Sequence, residues 1–315
     1  MKEIKVTKND SGQRIDRFLS KSFSLGQGQI CKLARKNCIK LNGKKCKPDT
    51  HIAENDIIKL FIPDEMLIPK AKSDPDDFTG VSDKIDIVYE DENILLVDKP
   101  VGMVVHEDES GDSDTLINRI KSYLYHKGEY HPENELSFAP ALCNRIDRNT
   151  CGIVIAAKNA ESLRILNQKI RDRELTKLYL CIACGKVTPD SATLTAYLEK
   201  NSDTNTVKIS DKKTKSNLTI KTKYKVIAYN GENSLLKVDL LTGRTHQIRA
   251  HLAYIGHALL GDGKYGNNKL NKKYGFKYQA LCSYELQFKF TTDAGCLSYL
   301  DGKCFKAKAP DFVKM

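Results

Sequence analysis

Nowhere does the 315-residue chain carry an apolar run close to the ~20 residues that a helix needs to cross a bilayer. Neither end shows a basic amphipathic helix, so a membrane is excluded as a partner. The opening MKEIKVTKNDSG holds no apolar signal segment, so the chain is expected in the cytoplasm. There the ten cysteines are expected as thiols rather than bridges. Only Cys181 and Cys184 stand close enough to suggest half a zinc site, and no second pair completes it. Within KLYLCIACGKV both suit a strand as small hydrophobes, so no metal is expected. A phosphate loop is missing too, since Asp262 follows Gly261 where a GK[ST] ending would be needed. The chain also lacks a glycine-rich methyl-donor loop, a His/Cys zinc set, and any Cys–His or Ser–His–Asp arrangement. Methyltransferase, deaminase and triad chemistries lose their support with them.

Negative charge is in short supply. Asp and Glu total 40 against 51 Lys and Arg, a formal charge of +11, and an excess of that size favours a polyanionic partner. With membranes set aside, that partner is nucleic acid. The length suggests two domains. In the first, SGQRIDRFLSKSF spaces Ile15, Phe18, Leu19 and Phe23 along a helix behind a Ser11 cap, and GQICKLARKN does the same with Ile30, Leu33 and Ala34. CIKLNGKKCKP predicts a hairpin turning at Asn42-Gly43, and IIKLFIP a closing strand. Between them run seven cations, Lys32, Arg35, Lys36, Lys40, Lys44, Lys45 and Lys47, with no acid interrupting. One-signed clustering suits a surface that tracks phosphates better than an ordinary solvated face. Two short helices, a basic loop and a hairpin in this order resemble the alpha-L RNA-binding domain, first recognised in a small-subunit ribosomal protein.

Residues 64–84 hold Pro, Asp, Ser and Gly without periodicity and read as a linker. From Ile85 a second domain begins. IDIVYEDENILLVDKPVG predicts a hairpin, and GDSDTLINRIKSYLYHKG a helix begun at Ser113 or Asp114. AESLRILNQKIRDREL predicts another, with Leu163, Leu166 and Ile170 inward, feeding the strand KLYLCIACGKV. Residues 200–216 read as a mobile hairpin tip, and LTIKTKYKVIAY pairs with SLLKVDLL across Asn230-Gly231. Hairpin-linked strands with helices grouped between them give an α+β class on a mixed, largely antiparallel sheet.

Two charged clusters remain. NRIDRNTCG sets Asp147 between arginines just before the apolar strand Ile153 to Ala157. If extended backbone starts early, Arg145 and Asp147 share one face and Arg148 points to the other. A solvated loop of mutually satisfied charges is the plain alternative. In LTGRTHQIRAHLAYIGHALLGDGKYG, Thr242 or Thr245 caps a helix running to about Ile255, with Gly256 at its αL end. Ile248, Leu252 and Ile255 form its buried stripe, His246 and Arg249 share another face, and Arg244 lies just before the first turn. A histidine donating to backbone is the commoner fate of a residue such as His246, with acid–base work as the alternative.

Four ordered motifs make the resemblance specific. NRIDRNTCGIVIAAK resembles the H-R-L-D-x-x-T-S-G motif of the RluA family of RNA pseudouridine synthases, and KLYL its Lys-x-Tyr motif. TGRTHQIRAHLAYIGHALLGDGKYG is similar to its T-G-R-T-H-Q-I-R-x-H…G-H-P…G-D…Y-G motif, and VDKPVGMVVH to its K-P-x-G-x-x-x-H segment. The likeness spans about residues 1 to 310. It implies the pseudouridine synthase fold and the isomerisation of uridine within an RNA chain, with no metal or organic cofactor. The bond from ribose to ring nitrogen breaks, the uracil rotates, and a carbon–carbon bond forms. Asp147 is implied as the catalytic carboxylate, kept ionised in its pocket by Arg249. Tyr179 would stack on the flipped base, and Arg145 would fill the space it leaves.

Asn144, Arg148, Arg244 and His246 are expected to border the RNA, with Lys32, Arg35, Lys36, Lys44 and Lys45 of the N-terminal module. Three positions depart from the family pattern: Asn144 stands for His, Cys151 for Ser and Ala258 for Pro. None removes a group the chemistry needs. The expected organisation is an alpha-L domain over 1–63, a linker over 64–84 and a catalytic domain over 85–315. The chain is expected as a monomer acting on large-subunit ribosomal RNA, with transfer RNA as the other substrate class. A non-catalytic RNA-binding or ribosome-assembly factor on the same fold is the rival reading. Intact Asp147, Tyr179 and Arg249 argue against it.

Overall fold

A computed structural model describes residues 1–70, 76–107, 111–201 and 204–314. They fall into one unit of residues 1–84 with 117–141 and 157–164, and a second of 85–116, 142–156 and 165 onward.

In the first unit, β1 (Lys2–Lys5), α1 (Ile15–Ser22), α2 (Gln27–Arg35), β2 (Ile39–Leu41), β3 (Lys44–Lys45) and β4 (Ile57–Leu60) follow in order. The strands form an antiparallel sheet, β1-β4-β2-β3. Phe18, Leu19, Ile30, Ala34 and Ile58 close its core. The β2–β3 turn has the expected form, with Asn42 at φ 50° and Gly43 at φ 77°. Ser11 is not the cap of α1. Arg14 holds that position without a side-chain bond, and the Ser11 hydroxyl donates to the Lys8 carbonyl instead. Within 64–84, residues 71–75 lie outside the described residues. Two side chains of the described remainder pack: Leu67 joins the core, and α3 (Asp76–Thr79) carries Phe78, buried against the rings of Tyr125 and Tyr130. Tyr125 lies on α4 (Leu116–His126).

The second unit is built on β5 (Ile87–Glu90), β6 (Ile94–Lys99), β7 (Ala141–Leu142), β8 (Cys151–Ala157), β9 (Leu175–Ala183), β10 (Ser191–Asn201), β11 (Thr206–Ser210), β12 (Leu218–Asn230), β13 (Asn233–Asp239), β14 (Leu281–Phe288) and β15 (Cys304–Lys306). Among the described residues the sheet has eleven strands, ordered β11-β10-β12-β13-β9-β14-β8-β6-β5, with β15 beside β14 and β7 beside β8. Most neighbours are antiparallel, whereas β8 and β14 run parallel. Helix α5 (Ala160–Arg171), whose residues up to Arg164 belong to the first unit, and helices α6 (Gln247–Tyr254) and α7 (Asn268–Lys273) complete an α+β class.

Three expectations need correction. Extended backbone starts at Cys151, and Arg148 and Asn149 form a turn closed by the Thr150 amide on the Asp147 carbonyl. The early start of the strand, on which the shared face of Arg145 and Asp147 depended, is therefore not met. Residues 200–216 are not simply a tip, because Val207 and Ile209 are buried on β11 with Ile220 and Ala250; residues 202 and 203 lie outside the described residues. The cap position of α6 belongs to His246, at φ 51°, rather than to Thr242 or Thr245. The αL glycine at its far end is as expected, Gly256 at φ 89°.

Candidate active site

The loop carrying Asp147 is fixed from both sides. Directly after it, β8 presses so closely on β14 that a Cβ on Gly152 would lie 2.2 Å from the Ser283 carbonyl oxygen. Before it, the Asn144 side chain accepts from the Ile155 amide at 2.8 Å and faces the Ile153 carbonyl, so its amide group braces the strand. From the side comes Lys99, which has no exposed surface. Its Nζ donates to the carbonyls of Pro100, Met103 and Arg148 at 2.8, 2.8 and 2.9 Å. Burial pushes the Lys99 ammonium down to about 8, against the pull of Cys151, Asp147 and Asp98.

Asp147 keeps 26% of its side chain exposed, and its Oδ2 accepts from Arg249 Nη1 at 2.6 Å. Arg249 is buried on α6, and its Nε and Nη2 are engaged as well. Nε and Nη2 reach the two oxygens of Asp262 at 2.7 and 2.9 Å, and the guanidinium lies 5.4 Å from the centre of the Tyr265 ring. Desolvation of Arg249 is outweighed by Asp262 and Asp147, so its pKa stands above the ordinary arginine range. Asp262 is fully buried. Burial alone would raise its carboxyl, but Arg249 and the amides of Tyr265 and Lys264 hold it below the usual range.

The GDGKYG loop supplying Asp262 needs its first glycine. Gly261 has φ 76°, and an added Cβ would lie 1.9 Å from the Tyr278 carbonyl oxygen. Asn271 of α7 accepts from the Gly261 amide and donates to the Asp262 carbonyl. On the other side, Gln247 clamps the lead into α6: it donates to Lys221 O and Thr222 Oγ1, and accepts from Thr242 Oγ1 and the Arg244 amide. The αL turn at His246 leaves Nε2 3.9 Å from Asp147 Oδ2 and Nδ1 3.0 Å from the Tyr265 hydroxyl. Burial and the charges of Arg249 and Lys264 lower the His246 pKa against the pull of the Asp147 and Asp262 carboxylates.

Tyr179 lies on β9, paired with Val238 of β13 and Ser283 of β14. It is 5% exposed, and desolvation pushes its phenol up to about 12, with the Ser283 hydroxyl pulling down and the charge of Asp147 adding to the rise. The phenol is therefore neutral near pH 7.

Arg249, His246 and Tyr179 are thus each brought within electrostatic reach of Asp147. Arg145, Arg148 and Arg244 are exposed. Lys32, Arg35, Lys36, Lys44 and Lys45 are exposed in the first unit. Asp262, Lys99, Gln247 and Tyr265 went unmarked among the site residues read from sequence, although all four stand inside the quoted motifs. Among the described residues no cluster of three or more His, Cys, Asp or Glu is placed to hold a metal, and no helix is long and apolar enough to cross a membrane.

Residues 93–254 match the family described as RNA pseudouridylate synthase. An uncharacterised RNA pseudouridine synthase of Mycoplasma genitalium is 35% identical over 291 residues, 90% of this chain and 88% of its own length. Ribosomal large subunit pseudouridine synthase D of Borreliella burgdorferi is 32% identical over 268 residues, 82% of this chain and 78% of that one. Among solved structures, human RNA pseudouridylate synthase domain containing 4 shares the fold at a TM-score of 0.56 and 18% identity, across 72% of this chain and 89% of that one.

Proposed function

Because the chain belongs to the RNA pseudouridylate synthase family, we propose that it converts uridine to pseudouridine in RNA, in the cytoplasm, on large-subunit ribosomal RNA rather than transfer RNA, with Asp147 as the essential carboxylate. One observation carries this reading. Asp147 keeps an exposed edge while a buried arginine, itself locked by a buried carboxylate, holds its charge in place. Such an arrangement suits a group that must meet a ring in a water-poor pocket without reorganising. The resemblance of two named large-subunit synthases to this chain supports the substrate class.

The reaction is an isomerisation and balances within the nucleotide. The C1′–N1 bond breaks and a C1′–C5 bond forms, the C5 proton leaves to solvent, and N1 takes one up. Asp147 engages the nucleotide as the first bond breaks. A base inside a helix is out of its reach, so the uridine must be flipped out at a cost of a few kcal/mol. The exposed Arg145 enters the gap it leaves. The neutral ring of Tyr179 offers stacking worth on the order of 1–3 kcal/mol to the flipped uracil. Arg148, Arg244 and His246 line its approach, and the cations Lys32, Arg35, Lys36, Lys44 and Lys45 meet backbone phosphates farther along the RNA.

The test is conversion without added cofactor. Transcripts of large-subunit ribosomal RNA and of transfer RNA are incubated with the pure protein and mapped by carbodiimide adducts. Discrete new stops in the ribosomal transcript alone are expected. Stops only in transfer RNA would overturn the substrate class, and none in either would overturn the activity.

A further inference from the structure

The first unit gathers three cations from two distant parts of the chain. Arg17 and Lys21 stand four apart on α1 and so share a face of that helix. Arg164, in the first turns of α5, lies over Gly12: a Cβ added there would sit 2.8 Å from its Nη2. Glycine at position 12 therefore leaves the room the guanidinium occupies. Arg17 and Lys21 are exposed and Arg164 is half-buried. Desolvation by neighbouring atoms and the charges of Arg164 and Arg17 lower the Lys21 pKa, and Asp10 alone pulls it up. Asp10 is a poor counter-ion, being buried and already accepting from Thr7 Oγ1 at 2.8 Å and Ser137 Oγ at 2.7 Å. None of the three cations forms an ion pair among the described residues.

Like charges one helical turn apart destabilise a helix on their own, and here a third arrives from another helix. An arrangement that costs stability and leaves its donors toward solvent is explained by an anion that completes it. We propose that Arg17, Lys21 and Arg164 form a phosphate site in the first unit that takes a backbone phosphodiester of the RNA substrate. This site rests on the RNA-modifying reading above. It draws on other residues than the Lys32–Lys47 cluster, its cations coming from α1 and α5. Two guanidiniums supply forked donors and the ammonium a point charge, a set that suits non-ester phosphate oxygens.

The experiment measures binding of a large-subunit ribosomal RNA transcript to the full chain across a KCl series, beside uridine conversion on the same RNA. Removing one phosphate-binding cation is expected to reduce the slope of log K against log salt by about 1. The variant Arg17→Gln/Lys21→Gln/Arg164→Gln should therefore show a slope shallower by about 3 with its melting temperature no lower than that of the wild type, while Arg164→Lys keeps the wild-type slope. Should the triple variant fail to fold, Lys21→Gln alone must still lower the slope by about 1. An unchanged slope in a folded variant overturns the site. So does an unchanged slope where inorganic phosphate, at ionic strength matched with chloride, stabilises the wild type but not the variant, for the cluster then holds free phosphate only. If the wild type converts uridine and the slope does not move, this site alone fails. If the wild type converts nothing, the parent reading fails whatever the slope.

Discussion

The two arginines beside Asp147 in sequence are exposed, and the one that meets its carboxylate comes from α6. That pairing stands on a second one, Arg249 with the fully buried Asp262. Removing one partner of a buried pair leaves an uncompensated charge and costs about 3–5 kcal/mol. Asp262→Ala is therefore expected to lose about that much in urea unfolding, and to lower kcat far more than KM because Arg249 loses its bearing on Asp147. An unchanged kcat would show that Asp262 has no part in positioning. Asp147→Asn is expected to keep RNA affinity within a few fold, since phosphate contacts dominate binding, and a parallel loss of binding would contradict that separation. Arg249 and Tyr179 were legible as motif positions. Asp262 and Lys99 stood in the same motifs unread, because what distinguishes them is burial, and nothing local in a Gly-Asp or Lys-Pro pair reports which side chain is sealed from water.

At the scale of elements, the strands and hairpins with strong signals form where the sequence put them. β8 is the apolar run after the aspartate, fully buried from Gly152 to Ala157, and Asn42-Gly43 turns its hairpin. The errors have local causes. β11 is five residues long within a polar stretch, so its two buried side chains were outweighed by its surroundings. The start of α6 defied the capping rules because Gln247 satisfies the preceding loop through its own side chain, which frees His246 to take the αL position. The GDGKYG loop makes an element-scale prediction. With φ 76° at Gly261 and a carbonyl 1.9 Å from an added Cβ, Gly261→Ala is expected to cost well over about 1 kcal/mol. Its activity should fall more steeply with temperature than that of the wild type. Equal stability by urea unfolding would mean that the loop tolerates rearrangement there.

For the whole molecule, the excess of 51 cationic over 40 acidic side chains was readable at once as a nucleic-acid signature, but its placement was not. Of the seven cations grouped in sequence all but Lys40 are exposed in the first unit, Lys36, Lys44 and Lys45 among them. Replacing all three with Gln should reduce the salt slope of RNA binding by about 1 per residue, and an unchanged slope would show that module to be idle. Stability should also depend on pH through His251. It is buried on α6 with Nδ1 3.0 Å from Thr222 Oγ1, and burial holds its pKa down at about 4. Because the folded value lies below the unfolded one near 6.5, the unfolded chain binds the proton first. The contribution is whole above about pH 6.5 and is lost as the pH falls toward 4, up to about 3 kcal/mol. His251→Gln should flatten the stability curve across that window, and parallel curves for the two proteins would rule His251 out as the cause. The measurement that bears most directly on the central claim is tritium release from RNA carrying uridine labelled at ring carbon five, with no cofactor added, for the wild type beside Asp147→Asn. Release by the wild type and none by the variant is the predicted result. Release by both, or by neither from ribosomal and transfer RNA alike, would contradict the assignment of Asp147 as the essential carboxylate of an RNA pseudouridine synthase.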